Sequence, residues 1–175
     1  INIGRLAPQV VYYYRAYADL VQAGRIQPGD KVDYVVPTGN FGDILAGYFA
    51  KEMGLPVGKL VCASYANNEL TDFLRTGRYD RRRPFYKTVS PSMDILVSSN
   101  LERLLYLLSG DDKLIADLMK QLSENGEYEV PADMLEKLHE LFWAGFCDDE
   151  GAKTAIGKVW KDDHYLCDTH TAVAW

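Results

Sequence analysis

The chain has 175 residues, 47% hydrophobic and 12% aromatic, with 25% charged residues of mixed sign and a formal net charge of −6. That length fits one domain, or one lobe of a larger protein, and the composition supports a core rather than disorder. The acidic balance argues against a dedicated nucleic-acid binder, no apolar run approaches the roughly 20 residues of a membrane span, and no stretch reads as a signal peptide.

Cys62, Cys147 and Cys167 are widely spaced with no CxxC pair or metal-finger spacing, so free thiols in a cytoplasmic protein are expected. The chain opens on Ile1 rather than Met and stops at Trp175 without a polar tail. A piece of a longer polypeptide is therefore expected, with residues 1–175 forming a single α/β lobe.

Leu6, Val10, Tyr13 or Tyr14, Tyr17 and Leu20 recur at three-to-four spacing and predict an amphipathic helix, with Pro8 in its first turn and Gly24 near its end. Tyr12-Tyr13-Tyr14 reads as packing rather than cofactor stacking. Lys31 to Val36 predicts a strand, followed by a tight break at Pro37-Thr38-Gly39-Asn40. A helix is predicted from Gly42 to Met53, a strand from Lys59 to Ala63, and a helix from Glu69 to Thr76. Strand, helix, strand and helix at this spacing predict an α/β unit with a parallel sheet in three layers, flanked by helices.

Residues 77–91 read as loop, with Arg81-Arg82-Arg83 solvated. Helices are predicted over Asn100 to Leu108, Asp111 to Asn125 and Pro131 to Leu141. A strand follows from Phe142 to Cys147. Asp148-Asp149-Glu150 place acid at the start of another helix, where the dipole favours it, and its apolar side carries Ala152, Ile156, Val159 and Trp160. Tyr165 to Cys167 reads as a last short strand, and Asp168-Thr169-His170-Thr171 as the start of one more helix.

The segment from Val35 to Gly47 carries the chemistry. A buried strand enters a glycine-bracketed turn that runs straight into a helix. Glycines permit close backbone approach, several amides can then converge, and the helix dipole adds positive potential. Such a site suits a phosphate monoester; a plain strand-to-helix turn is the alternative. There is no Gly-Lys-Ser/Thr ending and no GxGxxG, so neither the Walker loop nor the dinucleotide fingerprint applies. Thr38 and Asn40 can donate hydrogen bonds directly. Asp43 would repel a phosphate and is expected to cap the helix with its carboxylate turned away.

At this loop the sequence resembles threonine synthase. Pro37-Thr38-Gly39-Asn40-Phe41-Gly42-Asp43 is similar to that family's phosphate-binding loop. Four further stretches agree in order: Ile1 to Gln9 with Tyr12-Tyr13-Tyr14, Ala63 to Asn68, Ser90 to Ile95 with Ser99 to Arg103, and Asp168 to Val173. Position 65 is Tyr where relatives carry Asn, and Thr169 stands where they carry Pro. The resemblance implies fold type II of the pyridoxal-phosphate enzymes.

It implies further a parent enzyme that converts O-phospho-L-homoserine and water to L-threonine and phosphate, a carbon–oxygen lyase acting on phosphates. Pyridoxal 5′-phosphate is the implied cofactor. The family's Schiff-base lysine belongs to a segment this chain lacks, so no catalytic residue is assigned here and the fragment alone is expected to be inactive. Gly39, Asn40, Phe41, Gly42 and Asp43, with Thr38, are the implied cofactor-phosphate residues. Asn2, Arg5, Asn67, His170 and Thr171 are the implied substrate-side residues. For Arg5 a surface ion pair, for Asn67 a strand end and for His170 a structural hydrogen bond are the alternatives. No metal is expected. Apolar surface left uncovered is expected to drive self-association. The competing functions are another fold type II lyase or deaminase, and a non-catalytic phosphate-binding domain.

Overall fold

The computed structural model describes residues 3–175; the expectation for Asn2 lies outside them. Three parallel strands form the centre, β1 (Val32–Pro37), β2 (Val57–Ser64) and β5 (Phe142–Phe146), in the order β1-β2-β5. Each returns through a helical crossover, as parallel pairing requires. Between β1 and β2 runs α2 (Gly42–Glu52). Between β2 and β5 run α3 (Glu69–Thr76), α4 (Leu101–Ser109), α5 (Asp112–Asn125) and α6 (Ala132–Leu141). The amino-terminal α1 (Ile3–Gln22) packs on α2, and α7 (Asp149–Asp163) and α8 (Thr169–Val173) close the described chain.

Alternation along the strands divides the sheet into two faces. On one, Val36, Leu60, Cys62 and Phe142 join the main core with Ile44, Leu45, Leu70, Phe73 and Leu138. On the other, Ala63 joins a smaller core with Ala152, Val159, Cys167, Ala172 and Val173. The α/β fold with a helix-flanked parallel sheet is as expected. The third layer, α7 and α8, covers the carboxyl end of the strands. Farther back, Val35, Val61 and Trp143 lie side by side across the three strands, and Val35 and Trp143 are 49% and 64% exposed.

Several local expectations need correction. Pro8 sits inside α1, past its first turn, and offers no N–H to the turn before it. Trp160 is exposed rather than packed with Ala152 and Val159. No strand forms at Tyr165–Cys167; Cys167 is buried, but Tyr165 and Leu166 lie on the surface.

The segment expected to be pure loop contains β3 (Arg78–Asp80), paired antiparallel with β4 (Glu127–Glu129). These three-residue strands are too short for an alternating signal, and their partners are distant in sequence. Tyr79 and Tyr128 stack across them with ring centroids 5.3 Å apart, and Phe73 meets both edge-on. The arginine run is exposed at Arg81 and Arg82, as expected, and is also anchored. Arg82 pairs with Asp80 and Glu127, and Arg83 bonds Asp72 and Asn68 at 2.9 Å each.

Candidate phosphate-binding site

The loop between β1 and α2 is shaped by contacts that are mostly remote in sequence. Thr38 extends the ladder, its amide donating to the Ala63 carbonyl at 2.8 Å. Its hydroxyl donates to the Val36 carbonyl at 2.6 Å, so its one donor is turned inward rather than toward a ligand. The Ser98 hydroxyl donates to the Gly39 carbonyl. The Asn40 carbonyl accepts both the Asn100 amide, at 3.2 Å, and the Asn100 side-chain Nδ2, at 3.0 Å.

These carbonyl contacts orient the amides. In a trans peptide the C=O and N–H of one plane point in opposite directions, and the described chain has no cis bond. Holding the Gly39 and Asn40 carbonyls against the 98–100 segment turns the Asn40 and Phe41 amides away from it. The described residues give no acceptor to the amides of Gly39, Asn40, Phe41 and Asp43. The Gly42 amide differs, donating to Asn40 Oδ1 at 2.8 Å. The capping expected of Asp43 is thus performed by Asn40, while the N-cap residue Phe41 makes no side-chain cap bond.

Phe41 has φ 63° and ψ 11°, the left-handed region, where a bulky residue is held at a cost of about 1–3 kcal/mol. Its ring is completely buried and lies 5.8 Å from that of Phe142. Core packing therefore fixes the turn that starts α2. Gly39 is required for a different reason. A Cβ there would come within 3.0 Å of the Ser92 carbonyl oxygen and 3.1 Å of Met93 Cα.

The amino end of α1 reaches the same place. Arg5, Leu6 and Gln9 join Asn40, Gly42, Ser99 and Asn100 around a polar cleft of about 540 Å³. Arg5 is exposed and forms no ion pair among the described residues. Asp43 faces a separate groove with Tyr12, Tyr13 and Tyr34. Its Oδ1 is buried with no partner among the described residues, and burial pushes its carboxyl pKa up. Cys62, under the loop, is buried, and that burial pushes its thiol up to about 12 against the opposing Ser64 and Thr38 hydroxyls.

The remaining substrate-side residues lie elsewhere. Asn67 donates to the Tyr86 carbonyl (2.8 Å) and Asp94 Oδ1 (3.1 Å) and accepts the Tyr86 amide (3.0 Å), so its polar atoms brace a loop. Asp168 caps α8, accepting the amides of His170 and Thr171 and the Thr171 hydroxyl. These bonds, the Thr171 hydroxyl foremost, hold its carboxyl down at about 2. His170 Nδ1 lies 3.2 Å from Asp168 Oδ1, and its buried Nε2 has no partner among the described residues.

Sequence reasoning noted Ser99 and Asn100 as part of a recurring segment without giving them a role, and it missed Ser98 and Tyr79. The Tyr79 hydroxyl donates to the Leu96 carbonyl at 3.1 Å and accepts the Ser98 amide at 2.9 Å. No short-range pattern signals a tyrosine that braces a segment so far along the chain.

A phosphate fits these residues. Four amides without acceptors among the described residues, a helix start and an exposed arginine meet its need for donors and positive potential. Among the described residues no helix is long and apolar enough to cross a membrane, and no group of His, Cys, Asp and Glu could hold a metal ion.

No family model matches the chain. It is 47% identical over 176 residues to human threonine synthase-like 1, covering 99% of this chain and 24% of that protein. It is 40% identical over 187 residues to the threonine synthase of Saccharomyces cerevisiae, covering 99% and 36%. The crystal structure of PLP-bound threonine synthase from Brucella melitensis superposes with a TM-score of 0.92 at 40% identity, over 99% of this chain and 36% of that one. The chain thus spans about a quarter to a third of the length of the relatives it matches.

Proposed function

From the premise that this chain is homologous to a part of threonine synthase, we propose that it forms the phosphate-gripping lobe of a pyridoxal-phosphate lyase that converts O-phospho-L-homoserine and water to L-threonine and phosphate. The observation that carries this reading is the loop from Gly39 to Asp43, with two carbonyls tied back and four amides left without acceptors among the described residues.

Each residue then has a defined task. The amides of Gly39, Asn40, Phe41 and Asp43 hold the cofactor phosphate, helped by the amino end of α2. The Gly42 amide joins them where the Asn40 side chain yields it. Arg5, beside Asn40 and Gly42, pairs with the substrate phosphate, for which a guanidinium fork is suited. That phosphate leaves Cγ, so Arg5 stabilises charge on the departing oxygens. When bound, pyridoxal phosphate supplies the electron sink that lets protons leave the substrate carbons. Asp43 keeps its carboxyl in the separate tyrosine-lined groove and so avoids repelling either phosphate. Proton transfer needs a lysine, and none lines this cleft among the described residues. The 175 residues alone are therefore expected to show no phosphate release from O-phosphohomoserine.

Equilibrium binding tests the reading. The chain should take pyridoxal 5′-phosphate in clear preference to pyridoxal, which lacks the phosphate. Equal affinities would remove the basis for the assignment.

A further inference from the structure

The segment before α4 makes the contacts that tie back the two loop carbonyls, and the reading above gives its own residues no task. Ser98 and Asn100 are both buried, 6% and 7% exposed, and both direct donors onto loop carbonyls 59 and 60 residues earlier in the chain. Asn100 donates twice to one carbonyl, from its amide and its side chain, and makes no cap bond to its own helix. An asparagine at a helix start ordinarily accepts an amide of its own first turn. Here its Nδ2 serves the phosphate loop instead.

Ser98 is itself held from behind. Its amide donates to the buried Tyr79 hydroxyl, which in turn donates to the Leu96 carbonyl. Tyr79 is fixed by stacking on Tyr128 and by Phe73. A rigid aromatic cluster on the β3–β4 pair thus sets the 96–98 segment, and that segment sets the orientation of two peptide planes in the loop.

We propose that Ser98 and Asn100 are positioning residues for phosphate binding: by holding the Gly39 and Asn40 carbonyls they keep the Asn40 and Phe41 amides turned toward the anion. This rests on the phosphate-loop reading and deepens it. Without these donors both peptide planes are free to rotate, and the amides lose their common direction. Binding then requires reordering the loop, which weakens it.

The test uses the whole 175-residue chain, inorganic phosphate as probe, and amide chemical shifts from nitrogen-15 NMR. In the parent chain, phosphate should shift the Asn40, Phe41 and Asp43 amides saturably. In Asn100→Ala and in Ser98→Ala, each of which removes one side-chain donor, the dissociation constant should rise roughly five- to tenfold, the size of about one net hydrogen bond. The Asn40 and Phe41 responses should fade, while Asp43, carried by α2, keeps its own. A merely structural role would lower the folded fraction and leave the affinity and shift pattern of the folded molecules intact; that result overturns the proposal. Should Asn100→Ala not fold, Ser98→Ala decides alone by the same criterion. A parent chain whose loop amides ignore phosphate would instead sink the phosphate-loop reading, and this inference with it.

Discussion

Glu69→Gln isolates the least comfortable charge in the molecule. Glu69 sits in the first turn of α3, 1% exposed, and its Oε2 has no partner among the described residues. Burial pushes its carboxyl up to about 7 from 4.5, against the pull of its own amide and the Arg83 guanidinium, with Asp72 adding a further push. The folded state therefore holds this proton more tightly than the unfolded chain. The stability this confers is fully present below the ordinary value of 4.5 and is lost as pH rises through about 7. At 1.36 kcal/mol per pH unit, the interval corresponds to about 3 kcal/mol.

Glutamine has the shape and neutrality of the protonated acid and does not titrate. Reversible urea unfolding at pH 4.5 to 8 provides the measurement. The parent should lose about 2–3 kcal/mol across that range, and Glu69→Gln should remove most of that slope, being the more stable form above pH 7. Asp43, also raised by burial, leaves a smaller residual slope of the same sign. Identical slopes for parent and variant would refute the argument, because they would mean that the folded protein solvates the Glu69 carboxylate.

Gly39→Ala forces a Cβ against the Ser92 backbone; it should abolish phosphate binding by NMR and lower stability by about 1–3 kcal/mol in urea unfolding. Asp168→Ala removes the cap of α8 and should cost about 1 kcal/mol near pH 7. Because the Asp168 carboxyl is held down at about 2, that difference should be present above its ordinary 3.8 and vanish as pH falls through about 2, which acid unfolding reads. Val35, Val61 and Trp143 form an apolar row with two well-exposed members, so the chain should self-associate as concentration rises. Trp143→Lys should suppress this in light scattering, and a parent that stays monomeric across the series would reject the role of that face.

What was legible in the sequence was what repeats locally. The helices α2, α3, α5 and α6 lie where helical patterning predicts them, and the phosphate loop stands out by its glycines. What was not legible depends on partners far along the chain. The β3–β4 pair joins residues about fifty positions apart, too short on each side for a pattern. The exposed Trp160 obeys helical spacing, yet the narrow face of α7 that enters the smaller core is filled by Ala152 and Val159. Asn67 resembled a site residue because a polar group at a strand exit can line a cavity as readily as brace a loop; only its three bonds to Tyr86 and Asp94 distinguish these roles.

The candidate site combines both kinds of information. The glycine at position 39 is visible locally, as part of a glycine-bracketed turn, although the backbone of Ser92 and Met93 that a Cβ would press on lies far along the chain. Orientation of the amides is a remote demand, imposed by Ser98, Asn100 and, behind them, Tyr79. A loop with the same glycines but no donors over its carbonyls would satisfy its backbone with water and lose the shared direction of its amides. Short glycine motifs therefore recur without a ligand. The same consideration explains why Phe41 is tolerated in the left-handed region. Its buried ring clamps one end of the turn while the 98–100 segment clamps the other, and its amide is one of the four with no acceptor among the described residues.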